Sequence, residues 1–211
     1  MVSGLFITLE GPDGSGKTTQ ARMLVEWLRE QGHPVLATRE PGGTRIGEAI
    51  RNVLHDCAHV EMAPQTEILL YSASRAQHVA EVIRPALAAG KIVVCDRYFD
   101  STYAYQGYGR GLPLPTLQVI TDFAVQGLIP DLTLYLDIAP EVGLQRRAHS
   151  GEALNRLDRE ALAFHERVRA GYLELAAADP ARWHIIDAHR TPEAVQAALR
   201  EIVSHELRGA L

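Results

Sequence analysis

Cysteine is scarce: 211 residues hold two, Cys57 and Cys95, and neither sits in a metal-ligand spacing. A structural disulfide is thereby not expected, nor a metal site built on cysteine. Cys95, inside the apolar run Ile92 to Cys95, is expected to be a small buried core residue. A basic excess is also missing, with 21 Lys and Arg against 26 Asp and Glu and a formal net charge of -5. That balance argues against a general nucleic-acid binder, but leaves open a small anion held by local arginines. No apolar run is long enough to span a bilayer. The chain enters a strand-like run at Leu5 to Leu9 with no charged leader and cleavage site ahead of it. The expected location is the cytoplasm, with neither membrane nor nucleic acid as partner. Internal repeats and low-complexity segments are absent.

What is present is an ordinary globular composition, 46% hydrophobic and 22% charged, long enough for one domain over 1–211 with a sizeable core. Five short runs, 5–9, 34–38, 91–95, 132–136 and 183–187, are nearly continuously apolar rather than alternating. Parallel strands covered on both faces read this way. Helical patterns separate them, over about 17–31, 44–56, 64–89, 114–127, 140–148, 157–178 and 192–208. The alternation predicts an α/β fold: a doubly wound, parallel, five-stranded sheet flanked by helices. Gly32 and Gly90 stand where helix C-terminal glycines are expected. A stretch at about 146–159, with Arg146, Arg147, Arg156 and Arg159 around His149-Ser-Gly151, reads as a short basic lid.

Residues 11–18 read Gly11, Pro12, Asp13, Gly14, Ser15, Gly16, Lys17, Thr18, which satisfies G-x-x-x-x-G-K-S/T between a buried strand and a helix. Glycines let backbone N–H groups turn inward around phosphate oxygens, and the helix N-terminus adds a favourable potential. Lys17 is expected on the β- and γ-phosphates of ATP and Thr18 on Mg²⁺. Asp13 is anomalous, a carboxylate in a loop built for anions. It is either an Asx-turn residue or an acceptor for a substrate hydroxyl or a metal-bound water. After the strand at 91–95 come Asp96 and Arg97. Asp96 at a strand C-terminus suits water-mediated Mg²⁺ binding, and Arg97 suits a bidentate phosphate grip. The alternative is a surface ion pair at a strand exit. Neither an Asp-x-x-Gly after a strand nor an Asn-Lys-x-Asp guanine-reading motif occurs, which weakens a GTPase reading.

Three segments together resemble bacterial thymidylate kinases, P-loop nucleoside monophosphate kinases. They are Glu10-Gly-Pro-Asp-Gly-Ser-Gly-Lys-Thr-Thr19, Thr38-Arg-Glu-Pro-Gly-Gly-Thr44 and Asp96-Arg-Tyr-Phe-Asp-Ser-Thr-Tyr-Ala-Tyr-Gln-Gly107. Further agreement lies in Pro130 to Asp137, Glu141 to Leu144 and Tyr172 to Ala176. The resemblance implies transfer of the γ-phosphate of ATP to dTMP with Mg²⁺, in a homodimer, although no heptad or interface stripe shows a dimer by itself. It places Asp13 on the sugar 3′-OH, Tyr71 stacked on thymine and Arg75 at the base edge. Tyr71 and Arg75 share a helix face at i,i+4; on the residues alone they also read as core and solvated surface. It places Thr102, Tyr105 and Gln106 along base and deoxyribose, with Tyr105 crowding a 2′-OH or else a plain core residue. Arg39 and Arg97 would meet the acceptor phosphate, with an Arg39–Glu40 ion pair the alternative for Arg39. Family members carry a catalytic arginine either in the phosphate loop or in the lid. Ser15 stands at the loop position here, and Ser150 where some relatives have a lid arginine just before Gly-Glu, which leaves Arg146, Arg147 and Arg156 as candidates. The rival readings are a kinase for another nucleotide or a nucleoside, a P-loop ATPase switch with a protein partner, and a degenerate nucleotide-binding module.

Overall fold

The structure, a computed structural model, describes residues 4–149, 151 and 155–209. Strands β1 (Phe6–Glu10), β2 (Val35–Arg39), β3 (Ile92–Asp96), β4 (Leu132–Asp137) and β5 (Trp183–Asp187) form one parallel sheet in the order β2-β3-β1-β4-β5. All five expected strands form, displaced by no more than a residue at their starts. The three central strands are buried on both faces, whereas the edge strands β2 and β5 are partly exposed. Successive strand residues feed opposite cores. Ile7, Leu9, Val94, Leu134 and Leu136 pack with Leu24, Leu28, Leu199 and Val203 of helices α1 (Lys17–Glu30) and α9 (Pro192–Gly209). Phe6, Val93 and Cys95 face the other layer with Val79 and Ile83. On that same side Tyr135 packs with Tyr105, Phe164, Val168 and Tyr172. Cys95 is fully buried as expected. Gly32 and Gly90 take φ of 84° and 72° as helices end.

The remaining helices are α2 (Arg45–His55), α3 (Pro64–His78), α4 (Arg84–Ala88), α5 (Phe99–Thr102), α6 (Leu114–Val125), α7 (Pro140–His149) and α8 (Leu162–Ala178). Three departures from expectation have local causes. The helix predicted over 64–89 is interrupted by a π-helical turn at Val79–Ile83, where Pro85 has no N–H to continue the ladder. The helix predicted from 157 starts at Leu162 instead, after a 3₁₀ turn at Leu157–Arg159. There the Asn155 side-chain oxygen takes the N–H groups of Leu157 and Asp158, which competes with helix formation. Finally, α5 runs into a π-helical segment at Tyr103–Gly109 that no pattern predicted. The tyrosines, serine, threonine and glycines of Phe99–Gly109 are poor helix formers; tertiary packing holds the segment. A Cβ on Gly109 would lie 2.6 Å from the Phe164 ring, so a glycine lets α8 approach. Among the described residues no helix is long and apolar enough to cross a membrane.

In this strand order the chain leaves β1 toward one side of the sheet and returns later on the other. Loops at the C-terminal ends of β1 and its neighbour β3 therefore border the crevice where α/β sheets bind ligands. The register pairs Leu9 with Asp96, which sets the phosphate loop beside Asp96 and Arg97.

Candidate active site

A cleft of about 420 Å³ opens at this edge, within the range of small-molecule sites. Its floor is the loop between β1 and α1. Gly14, with φ of 76°, packs so closely on α7 that a Cβ would lie 1.9 Å from the Gly143 carbonyl oxygen. Lys17 Nζ donates to the carbonyls of Gly11 (3.0 Å) and Pro12 (2.8 Å) and to Ser15 Oγ (3.3 Å). Burial, with Arg97 close by, lowers the Lys17 ammonium to about 8, although Asp13 and Asp96 oppose this. Thr18 Oγ1 donates to Asp96 Oδ2 at 2.6 Å. These are two hard oxygen donors side by side at the cleft. Among the described residues no group of three or more His, Cys, Asp or Glu could hold a metal. The Thr18 and Asp96 oxygens fit Mg²⁺, which binds through one or two protein oxygens and completes its shell with phosphate and water.

The anomalous Asp13 is explained by its surroundings. Its Oδ1 accepts from Arg97 Nη2 at 2.7 Å and its Oδ2 from Tyr105 Oη at 2.8 Å. Burial opposes its charge, but Arg97 and Lys17 outweigh that and hold the carboxyl well below the usual range. Arg97 has φ of 70°, rare for a residue with a side chain and commonest at functional sites. Its Nη1 donates to the Gly11 carbonyl, Ser101 Oγ and Tyr172 Oη, its Nη2 also reaches Tyr105 Oη, and the guanidinium lies over the Tyr105 ring. Both terminal nitrogens are thus engaged with protein, so the bidentate phosphate grip expected of Arg97 requires exchange of these partners. Beneath it lies Glu10, fully buried, which accepts from the Tyr98 N–H, Ser101 Oγ and Tyr172 Oη. Burial, helped by nearby Asp100, raises its carboxyl to about 7.

The far end of the cleft is walled by α3. Tyr71 is half-buried there. Arg75, 2% exposed, gives Nε to Glu40 at 2.8 Å, Nη1 to Thr102 Oγ1 at 3.0 Å and Nη2 to the Tyr98 carbonyl at 3.3 Å. Those bonds use three of its five N–H groups and leave one on each terminal nitrogen. Arg75 is therefore neither free surface nor plain core.

The family profile for thymidylate kinase matches residues 9–199. A thymidylate kinase from Roseiflexus sp. (strain RS-1) is 54% identical over 210 residues, covering 94% of this chain and 93% of that protein. One from Deinococcus radiodurans is 54% identical over 204 residues, covering 97% and 98% respectively. The chain belongs to the thymidylate kinase family. In three dimensions it is similar to the crystal structure of thymidylate kinase from Ehrlichia chaffeensis, with a TM-score of 0.79, 33% identity and coverage of 95% of this chain and 99% of that one.

Most of the residues expected at a thymidylate kinase site meet in this cleft. Asp13, Gly14, Gly16, Lys17, Thr18, Arg39, Tyr71, Arg75, Asp96, Arg97, Thr102, Tyr105 and Gln106 all line the cleft. Gly11, Pro12 and Ser15 lie behind its surface and receive Lys17. Arg39 pairs with Glu48 at 2.9 Å rather than with Glu40, which belongs to Arg75 and His78. Of the lid candidates, Arg146 and Arg147 line the cleft. Arg146 donates to the Ala188 carbonyl and Arg147 to Asp158. Arg156 is turned away, ion-paired with Glu67 and bonded to the Leu54 carbonyl. Ser150 lies outside the described residues. Sequence reasoning missed Arg51 and His55, which enter the wall from α2. Burial and then Arg51 lower the His55 imidazole to about 4, so it is neutral. The available signal was their i,i+4 spacing, which an ordinary amphipathic helix also produces.

Proposed function

We propose that this protein transfers the γ-phosphoryl group of ATP to dTMP, giving ADP and dTDP for thymidine nucleotide synthesis. The observation that carries this reading is the single cleft surface running from Lys17, Thr18 and Asp96 to Tyr71 and Arg75. It provides a phosphate-donor end and a base-sized acceptor end on one surface. An acceptor-free ATPase switch has no need of the second end. Lys17 leaves the loop carbonyls and Ser15 for the donor phosphates. Thr18 and Asp96 hold Mg²⁺, which when bound neutralises charge on the transferring phosphoryl group. At the other end Tyr71 stacks on thymine and Arg75 turns its two remaining N–H groups to the base edge. Each Asp13 oxygen, with one donor already bound, keeps a lone pair for the sugar 3′-OH. Tyr105, fixed to Asp13, crowds a 2′-OH, with Thr102 and Gln106 beside it. Arg39, Arg51 and Arg97 neutralise the acceptor phosphate. Its oxygen attacks the γ-phosphorus in line as the bond to the β-phosphate oxygen breaks, and no covalent enzyme intermediate forms. Arg146 and Arg147, from a lid over 146–159 within one domain, supply the cations that Ser15 does not.

The protein is proposed to work in the cytoplasm as a homodimer. The dimer is supported by apolar residues left in solvent on α3 and α6: Leu69 is 57%, Val119 71% and Phe123 86% exposed. The activity is tested by incubating enzyme, ATP and Mg²⁺ with dTMP. ADP and dTDP are expected in equal amounts, and neither without acceptor.

Proton linkage gives a second expected result. Before ATP binds, the Lys17 ammonium sits at about 8; donor phosphates favour its charged form and raise it. Binding of Mg-ATP at pH 8.5 should therefore take up about half a proton or more, and at pH 7 very little. Calorimetry in buffers of different ionisation enthalpy reads this. Equal uptake at both pH values would contradict the assignment of Lys17 to the phosphates.

A further inference from the structure

Behind the acceptor wall lies a buried ionic cluster that the reaction itself does not use. Glu67, one helical turn before Tyr71 on α3 and two before Arg75, is 1% exposed. It accepts from Gln106 Nε2 at 2.8 Å, from Arg110 Nη2 at 3.3 Å and Nε at 3.4 Å, and from Arg156 Nη2. Arg110 also reaches Glu160 at 2.5 Å, and Arg156 donates to the Leu54 carbonyl in α2. One carboxylate therefore joins α2, α3, the end of the π-helical segment and the chain entering α8. Burial opposes its charge, yet the Gln106 amide and the two arginines prevail, and Glu67 stays ionised. Two carboxylates balance two guanidinium groups. Such clusters add little stability over apolar packing of the same volume, and their best-attested use is to fix one arrangement among several.

We propose that Glu67 is a positioning residue for the acceptor nucleotide, locking α3 against the 103–110 segment so that Tyr71 and Arg75 face Thr102, Tyr105 and Gln106 at the spacing a pyrimidine requires. Glu67, Arg110 and Arg156 do not line the cleft, whereas Gln106, Tyr71 and Arg75 do. The inference rests on reading this end of the cleft as the dTMP site. Loss of the cluster widens or shears the base slot and leaves the phosphate loop, on the other side of Arg97, as it was.

The test uses full-length Glu67→Gln and Arg110→Met enzymes, with dTMP and ATP each varied at saturation of the other, and with melting temperatures measured in parallel. Glu67→Gln keeps the shape and loses the charge. Its KM for dTMP is expected to rise about tenfold, with kcat and the KM for ATP within about threefold of wild type. Arg110→Met should move KM for dTMP in the same direction by less, and carries the test if Glu67→Gln does not fold. Variants that melt lower but keep the wild-type KM for dTMP would show a purely structural cluster and overturn the inference. A variant that loses kcat with KM unchanged overturns it too. Wild-type turnover of dTMP, measured in the same series, reports separately on the acceptor reading.

Discussion

Replacing Lys17 by alanine is expected to lower kcat by about two to three powers of ten, the usual cost of removing one pre-placed donor to developing charge. The melting temperature should change little. Lys17 fills no apolar cavity; its ammonium is tied to two loop carbonyls and the Ser15 hydroxyl. Those partners hold it ready at the mouth of the loop, and burial raises the energy of the charged form until phosphate arrives. Differential stabilisation of this kind acts on rate rather than on folding. Steady-state kinetics with ATP and dTMP, beside thermal melting, separate the two. Retention of more than about a tenth of wild-type kcat, under about 1.4 kcal/mol of barrier, would contradict the role of Lys17.

The second large effect concerns Arg75, where binding and folding are joined. Arg75 and Glu40 form an ion pair with side chains 2% and 3% exposed, and His78 lies on the other Glu40 oxygen. Arg75→Met leaves a buried carboxylate without its cation, which costs about 3–5 kcal/mol. For a chain of this length that is a fall in Tm of about 6–20 °C. The same substitution removes the two N–H groups assigned to the base edge, so the preference for dTMP over dCMP should collapse. Adding Glu40→Gln to Arg75→Met separates these consequences. Most of the stability should return, since both charges are gone, and none of the base discrimination. Recovery of discrimination in the double variant would show that Arg75 acts on the base only through the fold.

How far the sequence led depends on what kind of force placed each part. Strands β1, β3 and β4 were legible because burial on both faces leaves nearly unbroken apolar runs. The phosphate loop was legible because backbone approach to phosphate demands glycine at fixed spacing. Asp13 was recognisable as an anomaly from electrostatics alone, but Arg97 and Tyr105, the groups that compensate it, lie more than eighty residues further along the chain. The segment Phe99–Gly109 was legible only through family resemblance. Its helix is held by tertiary contacts with α8, against the preference of its own residues. Arg156 read as a lid cation because a run of arginines looks alike whether solvated or buried. Only the fold shows that Glu67, about ninety residues earlier in the chain, holds it. Arg51 and His55 carried no motif, and their place at the cleft follows from how α2 packs on α3.

Acceptor choice is read most directly by release of ADP at saturating Mg-ATP with dTMP, dUMP, dCMP, dGMP, AMP or no acceptor. dTMP should be the best acceptor. dUMP should trail by no more than about 10–200-fold, the worth of one methyl group in an apolar pocket. The purine monophosphates should be far poorer, being too large for a pyrimidine-sized base end and presenting the wrong edge to Arg75, and the acceptor-free rate should be near background. Preference for AMP or dGMP, or ADP release that is indifferent to acceptor, would contradict the reading of the cleft as a dTMP site.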